Sequence, residues 1–165
     1  MRTFREQRSG EVIVLTSPHF LQEVFEKLRP QLQPARDAGY DISRVYLMLD
    51  EMLSNTYRHG YKRAAGQPIG VQVRVHGDRC TVVVRDLAPT FDTARHALTR
   101  SLPAPESGEP GGRGLVIVQR MCESFAHRTP DEGGNLVVLV MKLLQREVAP
   151  TGQPAAEANP EDSRG

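Results

Sequence analysis

The sequence predicts an α/β fold, a two-layer sandwich in which a mixed, mainly antiparallel sheet carries helices on one face. Three observations predict it. The runs "IGVQVRVHG" and "RCTVVVRD" flank a tight "HGDR" connection, and Val71, Val73 and Val75 alternate with polar partners, so this segment is a β-hairpin ending at Asp86. A second pair, "SFAHRTP" and "NLVVLVMKLL", closes around "DEGG". Three other stretches repeat their apolar residues at helical spacing, and such faces need a sheet or another helix to bury against.

In chain order, "EVIVL" at 11–15 is a short strand. "TSPHF" supplies a Ser or Thr cap with Pro18 near the first helical turn. Phe20, Leu21, Val24, Phe25 and Leu28 then form a helical face that Pro30 and Pro34 are expected to end. "AGYDIS" turns the chain into a second helix, from about Ser43 to His59, with Gly60 as the residue that closes it. After the hairpin, residues 87–114 hold four prolines and four glycines, with a weak helix around "DTARHALTR". So long a stretch without periodicity is usually functional or disordered. A third helix follows from Leu115 to about Phe125, with Leu115, Val118, Met121, Cys122 and Phe125 as its apolar face.

Composition limits the function classes. At 165 residues with 39% hydrophobic and 25% charged residues, the chain fits one globular domain. We place that domain at 11–145, between a flexible N-terminus at 1–10 and a tail at 146–165 too poor in apolar residues to order. A net charge of +1 gives no electrostatic case for nucleic acid or a membrane surface. The longest apolar run, "LVVLVM" at 136–141, is far short of a membrane span, and residues 1–15 lack the apolar core of a signal peptide, so a cytoplasmic location is expected. Cys80 and Cys122 are far apart with no ligand-like spacing, and read as buried free thiols.

Three local patterns carry chemistry. In "LDEMLSNTYRHGY", Glu51, Asn55 and His59 recur every fourth residue. At about 100° per residue they form a polar edge of their own, beside the apolar stripe of Ile42, Val45, Leu49, Met52, Leu53 and Thr56. That edge suits a carboxylate and a carboxamide facing one cleft; taken alone, it reads equally as a solvated face with His59 at a helix C-terminus. In "VVVRDLAPTFD" a strand ends in Asp86 and breaks at once, which aims one carboxylate across a pocket mouth or makes an Asx-type turn. In "GEPGGRGLVIVQRM" a glycine cluster runs into a helix N-terminus, where backbone N–H groups and the helix dipole favour an anion. This is neither a Walker loop nor a dinucleotide fingerprint, since Gly-Lys-Ser/Thr and the third glycine are both missing.

Glu-x-x-x-Asn on a helix, Asp at a strand end and Gly-Gly-x-Gly-Leu opening a helix, in that order, resemble the histidine-kinase-like ATPase superfamily. Within it the chain is similar to the bacterial anti-sigma factor serine/threonine protein kinases used in partner switching. The resemblance spans roughly residues 11–144 and implies that superfamily's fold. It implies ATP and Mg²⁺ as cofactors, with Asn55 holding the metal that bridges the phosphates and Glu51 as general base on the attacking hydroxyl. It further implies Asp86 as acceptor for the adenine amino group, Gly112 and Gly114 as a lid hinge, and added positive charge from Arg113. His59 is family-like with no chemical role assigned. The sequence departs from the pattern at Ala88, where the family commonly has a glycine that lets the backbone approach the base. The implied activity is ATP-dependent phosphorylation of a STAS-type anti-anti-sigma protein. The implied partners are that protein, a sigma factor or another regulatory protein, and a second copy in a homodimer. Two other classes fit the same residues: a nucleotide-ordered binding module without turnover, and a detached catalytic domain of a sensor histidine kinase.

Overall fold

The computed structural model describes residues 3–4, 6–90 and 113–147, with Arg113 described by its backbone alone. Its elements run β1 (Val12–Leu15), α1 (Phe20–Asp37), β2 (Tyr40–Asp41), α2 (Ser43–Asn55), a π-helical turn (Thr56–Gly60), β3 (Pro68–His76), β4 (Arg79–Asp86), α3 (Arg113–Met121), β5 (Ser124–Arg128), β6 (Asn135–Lys142) and β7 (Leu144–Gln145). The five longer strands form one sheet in the order β1-β3-β4-β6-β5, with each described pairing antiparallel. A two-stranded ribbon, β2 with β7, lies outside it. The expected sandwich and both hairpins are present.

Period-two alternation sorts the sheet into two faces. Val71, Val84 and Val137 sit side by side in register, as do Val73, Val82 and Leu139, and these residues are buried. They join one core with Phe20, Val24, Leu28 and Leu32 of α1 and Val45, Met48, Leu49 and Met52 of α2. The same alternation carries Ile69, Asp86 and Asn135 into the last row of this core-facing side. Two polar side chains thus stand where the apolar layer ends, which positions the site described below.

The opposite face carries a buried ion pair. Arg85 donates from Nε to Glu11 Oε1 at 3.0 Å and from Nη2 to Glu11 Oε2 at 2.7 Å. Its Nη2 also reaches Glu6 O at 2.8 Å, and its guanidinium stacks 3.9 Å from the Phe4 ring centroid. Gly70 lies beneath, where a methyl group would overlap the Glu11 carboxylate.

Several boundaries differ from expectation. Pro30 and Pro34 do not end α1, which runs on to Asp37. Both prolines are exposed, so the carbonyls they leave without a helical N–H are on the solvent side, while buried Leu28, Leu32 and Ala35 hold the opposite face. The start of α1 is also different: Ser17 Oγ accepts from His19 N at 3.3 Å, but no side chain caps the helix. Thr16 instead ties β1 to the loop before β3, donating to Ala64 O at 2.6 Å and accepting from Gln67 N at 2.9 Å. Phe125 belongs to β5 rather than α3; the helix stops at Met121, and Glu123 N donates to Val140 O, starting the strand pairing. The expected helix around "DTARHALTR" and the tail from 148 onward lie outside the described residues.

Both cysteines are free, Cys80 buried and Cys122 half-buried. Burial pushes the Cys80 thiol up to about 12 and the Cys122 thiol to about 11. Among the described residues no helix is long and apolar enough to cross a membrane.

Candidate active site

A cleft of about 310 Å³ opens between the end of α2, the π-helical turn and the ends of β4 and β6. Met52, Asn55, Thr56, His59, Gly60, Lys62, Asp86, Pro89, Thr90, Asn135 and Val137 line it. Two predicted residues, Asn55 and Asp86, therefore share one wall, although 31 positions separate them in sequence. The polar edge and the strand end were read independently, and the fold brings them together.

Asp86 is the anchor of the cleft. Its Oδ1 accepts from Ala88 N at 2.9 Å and from Asn135 Nδ2 at 2.8 Å. Among the described residues its Oδ2 has only a long hydrogen bond from Thr56 Oγ1, at 3.4 Å, and so retains acceptor capacity. Burial raises the Asp86 carboxyl above its ordinary value, and the hydrogen bonds from Asn135, Ala88 and Thr56 work in the other direction. The bond to Ala88 N is the Asx-type turn considered for this strand end. The turn and the aimed carboxylate are one arrangement.

The raised carboxyl gives a stability prediction. The folded state binds this proton more tightly than the unfolded chain, so the fold loses stability as the pH rises past the unfolded value and on through the folded one. Asp86→Asn keeps an oxygen for Ala88 N and Asn135 and removes the desolvated charge. The variant is expected to be more stable than the wild type at pH 7 and, if Asp86 accepts from adenine as the resemblance implies, to lose adenine-nucleotide affinity and selectivity. The stability gain should shrink as the pH falls toward 3.8, the ordinary carboxylate value. Urea unfolding at several pH values checks the first part, and a less stable Asp86→Asn protein at neutral pH would refute it.

Glu51 does not line the cleft. It lies one helical turn before Asn55, and its carboxylate packs against Gly114 at the start of α3, where a methyl group would overlap it. Gly114 thus has a steric role: the helix N-terminus meets the α2 carboxylate because position 114 has no Cβ. Arg113 opens α3, and Gly112 lies outside the described residues.

His59 is on the cleft wall and also at the end of the helical segment, because α2 stops at Asn55 and the chain widens into a π-helical turn that runs to Gly60. Such turns inside helices are frequently functional. Thr56 still follows α geometry, its N–H donating to Met52 O, and its hydroxyl turns to Asp86. Ala88 is buried and absent from the cleft lining; a Cβ on Gly60 would come within 3.0 Å of the Ala88 methyl. The Ala88 side chain therefore faces Gly60.

Sequence reasoning missed Asn135, Thr56 and Lys62. Asn135 opens an apolar run, and its only signal was a polar residue directly after "DEGG". Lys62 lines the wall from a left-handed backbone with φ of 50°, and Arg63 follows at 62°. Tyr61 braces this segment, donating to Pro68 O at 2.7 Å and accepting from Leu87 N at 2.6 Å.

Comparison with known proteins identifies a family over most of the chain. The family described as "Histidine kinase-like ATPase domain" matches residues 21–141. Among solved structures, the NMR structure of the histidine kinase domain of the E. coli osmosensor EnvZ is similar at 17% identity, covering 92% of this chain and 99% of that one, with a TM-score of 0.41. A search of curated proteins gives no match.

Proposed function

Because the chain belongs to the histidine kinase-like ATPase domain family, we propose that it is an anti-sigma factor serine/threonine kinase that phosphorylates a STAS-type anti-anti-sigma protein. Membership makes it an ATP-binding, kinase-like ATPase domain. The kinase specificity, the partners and Mg²⁺ are our reading. The observation that carries it is the shared wall of Asn55 and Asp86, with Glu51 one turn away on the same helix.

The residues present fit Mg·ATP. The cleft falls at the lower end of small-molecule site volumes. Asp86 Oδ2, with only its long hydrogen bond from Thr56 among the described residues, suits an exocyclic amino group, the feature that separates adenine from guanine. Asn55 offers a neutral oxygen, and Mg²⁺ is usually held by one or two protein groups plus phosphate oxygens and water. When bound, that ion neutralises charge on the phosphates. Lys62 adds positive charge to the wall.

Phosphoryl transfer needs little covalent chemistry from the protein and mostly positioning and charge neutralisation. Asp86 fixes the base, Asn55 the phosphate end, and Glu51 takes the proton of the incoming serine hydroxyl at the α3 side. A phosphoserine adds nearly two negative charges to an interface that accepted a neutral hydroxyl, so the product is released by repulsion.

Incubation with γ-labelled ATP, Mg²⁺ and a STAS-type protein is the direct test. Acid-stable label on that protein supports the reading, and acid-labile label marks a histidine kinase instead. Binding without labelling would leave the nucleotide-ordered binding module, which the packing of Glu51 against Gly114 outside the cleft wall favours. Asn55→Ala is expected to weaken Mg·ATP binding about tenfold or more, ~1.4 kcal/mol, with the fold intact. Unchanged affinity by calorimetry would remove Asn55 from the site.

A further inference from the structure

Behind Asp86 lies a hydrogen-bonded chain that crosses three strands. Asn135 Nδ2 donates to Asp86 Oδ1 at 2.8 Å and lies 3.4 Å from both Ala88 O and Pro89 O. Three acceptors surround this nitrogen, so the amide has one orientation; the flipped amide would set an oxygen against all three. The Asn135 Oδ1 then faces His127 Nε2 at 2.9 Å, which requires a proton on that ring nitrogen. Alternation explains the placement. His127 pairs with Val137 on the core side of β5, one row from Asn135, and Asn135 pairs directly with Asp86.

The chain settles which oxygen of Asp86 is left for a ligand. Oδ1 is fully engaged by Ala88 N and Asn135, and Oδ2 alone keeps capacity. We propose that Asn135, oriented by the three acceptors around its nitrogen and anchored at its oxygen by His127, is a specificity-determining positioning residue that presents Asp86 as an acceptor for the amino group of a purine. This rests on the nucleotide reading above. The donor from Asn135 is also the strongest contact favouring the charged carboxylate, which burial opposes. Without it Asp86 holds a proton more readily and offers a donor where adenine needs an acceptor. A base carrying a carbonyl in place of the amino group would then be tolerated.

ATP and ITP separate these cases, because hypoxanthine replaces the adenine amino group by a carbonyl. The measurement is the ratio of their dissociation constants by calorimetry for wild type, Asn135→Asp, His127→Leu and His127→Gln. Wild type should prefer ATP. Asn135→Asp keeps the shape but sets two carboxyls together that share one proton, and should cut the preference about tenfold or more. His127→Leu should cut it less, and His127→Gln, which restores an N–H donor, should recover it; a merely structural role would not be rescued in this way. A wild-type-like ratio in Asn135→Asp overturns the proposal, and an unchanged ratio in His127→Leu overturns the part of His127. A wild-type protein that binds neither nucleotide overturns the nucleotide reading itself and this inference with it.

Discussion

Glu51→Gln is expected to slow phosphoryl transfer by about 10²–10⁴-fold, the usual contribution of a general base, while Mg·ATP and the protein partner still bind. Glutamine keeps the size of the side chain, so the packing of position 51 against Gly114 survives. Only the capacity to take a proton is lost. In the proposed mechanism adenine is read elsewhere, at Asp86, so nucleotide affinity should stay near that of the wild type. The partner should bind and remain bound if, as proposed, phosphorylation is what releases it. Single-turnover transfer of labelled phosphate, set beside calorimetric affinities, separates these quantities. A Glu51→Gln protein that phosphorylates the STAS-type partner at the wild-type rate would sink the kinase mechanism.

Glu11→Ala is expected to cost about 3–5 kcal/mol of folding stability, the range for breaking a buried ion pair by removing one partner. The Arg85 and Glu11 side chains are 4% and 3% exposed, and the pair is bidentate. Alanine leaves the guanidinium buried with Glu6 O, the Phe4 ring and a distant Glu132 at 3.9 Å as its remaining company. The double variant Glu11→Leu/Arg85→Met should be more stable than Glu11→Ala, because no charge is left without its counterpart. Urea unfolding of the three proteins measures this. A loss below about 1 kcal/mol in Glu11→Ala would place it in the range of a surface pair.

The parts of this protein that were legible in sequence are those with a short-range signature. The hairpin at 68–86 was readable from alternation and a Gly-Asp turn, and Asn55 and Asp86 from a helical period and a broken strand. Residues whose role comes from tertiary register were not. Asn135 is only one polar residue at the head of an apolar run until β6 pairs with β4. Thr56 lies one turn after Met52, as the helical period requires, but nothing local shows that Asp86 will stand beside its hydroxyl. Pro30 and Pro34 misled because local propensity alone ends a helix there, whereas packing of Leu28, Leu32 and Ala35 continues it. The ribbon of β2 with β7 has two residues a side, too few to show a period. The Glu11–Arg85 pair joins positions 74 apart, and nothing local announces it.

The adjacent residues Arg85 and Asp86 have a consequence for how the sheet assembles. Strands β3, β4 and β6 are rich in valine, and valines offset by two residues present nearly the same surface to a partner strand. Apolar contacts by themselves therefore discriminate weakly between neighbouring alignments. Slipping β4 by one residue would turn Asp86 toward the Glu11 side and Arg85 into the apolar layer. A slip of two would keep the faces but set Asp86 beside Val71 or Val137, away from Asn135, and move Arg85 off Glu11. Each misalignment buries a charge without its counterpart, at a cost of several kcal/mol. The last two residues of β4, one charge on each face, thus work as a two-pin key that lets three interchangeable-looking strands close in a single register.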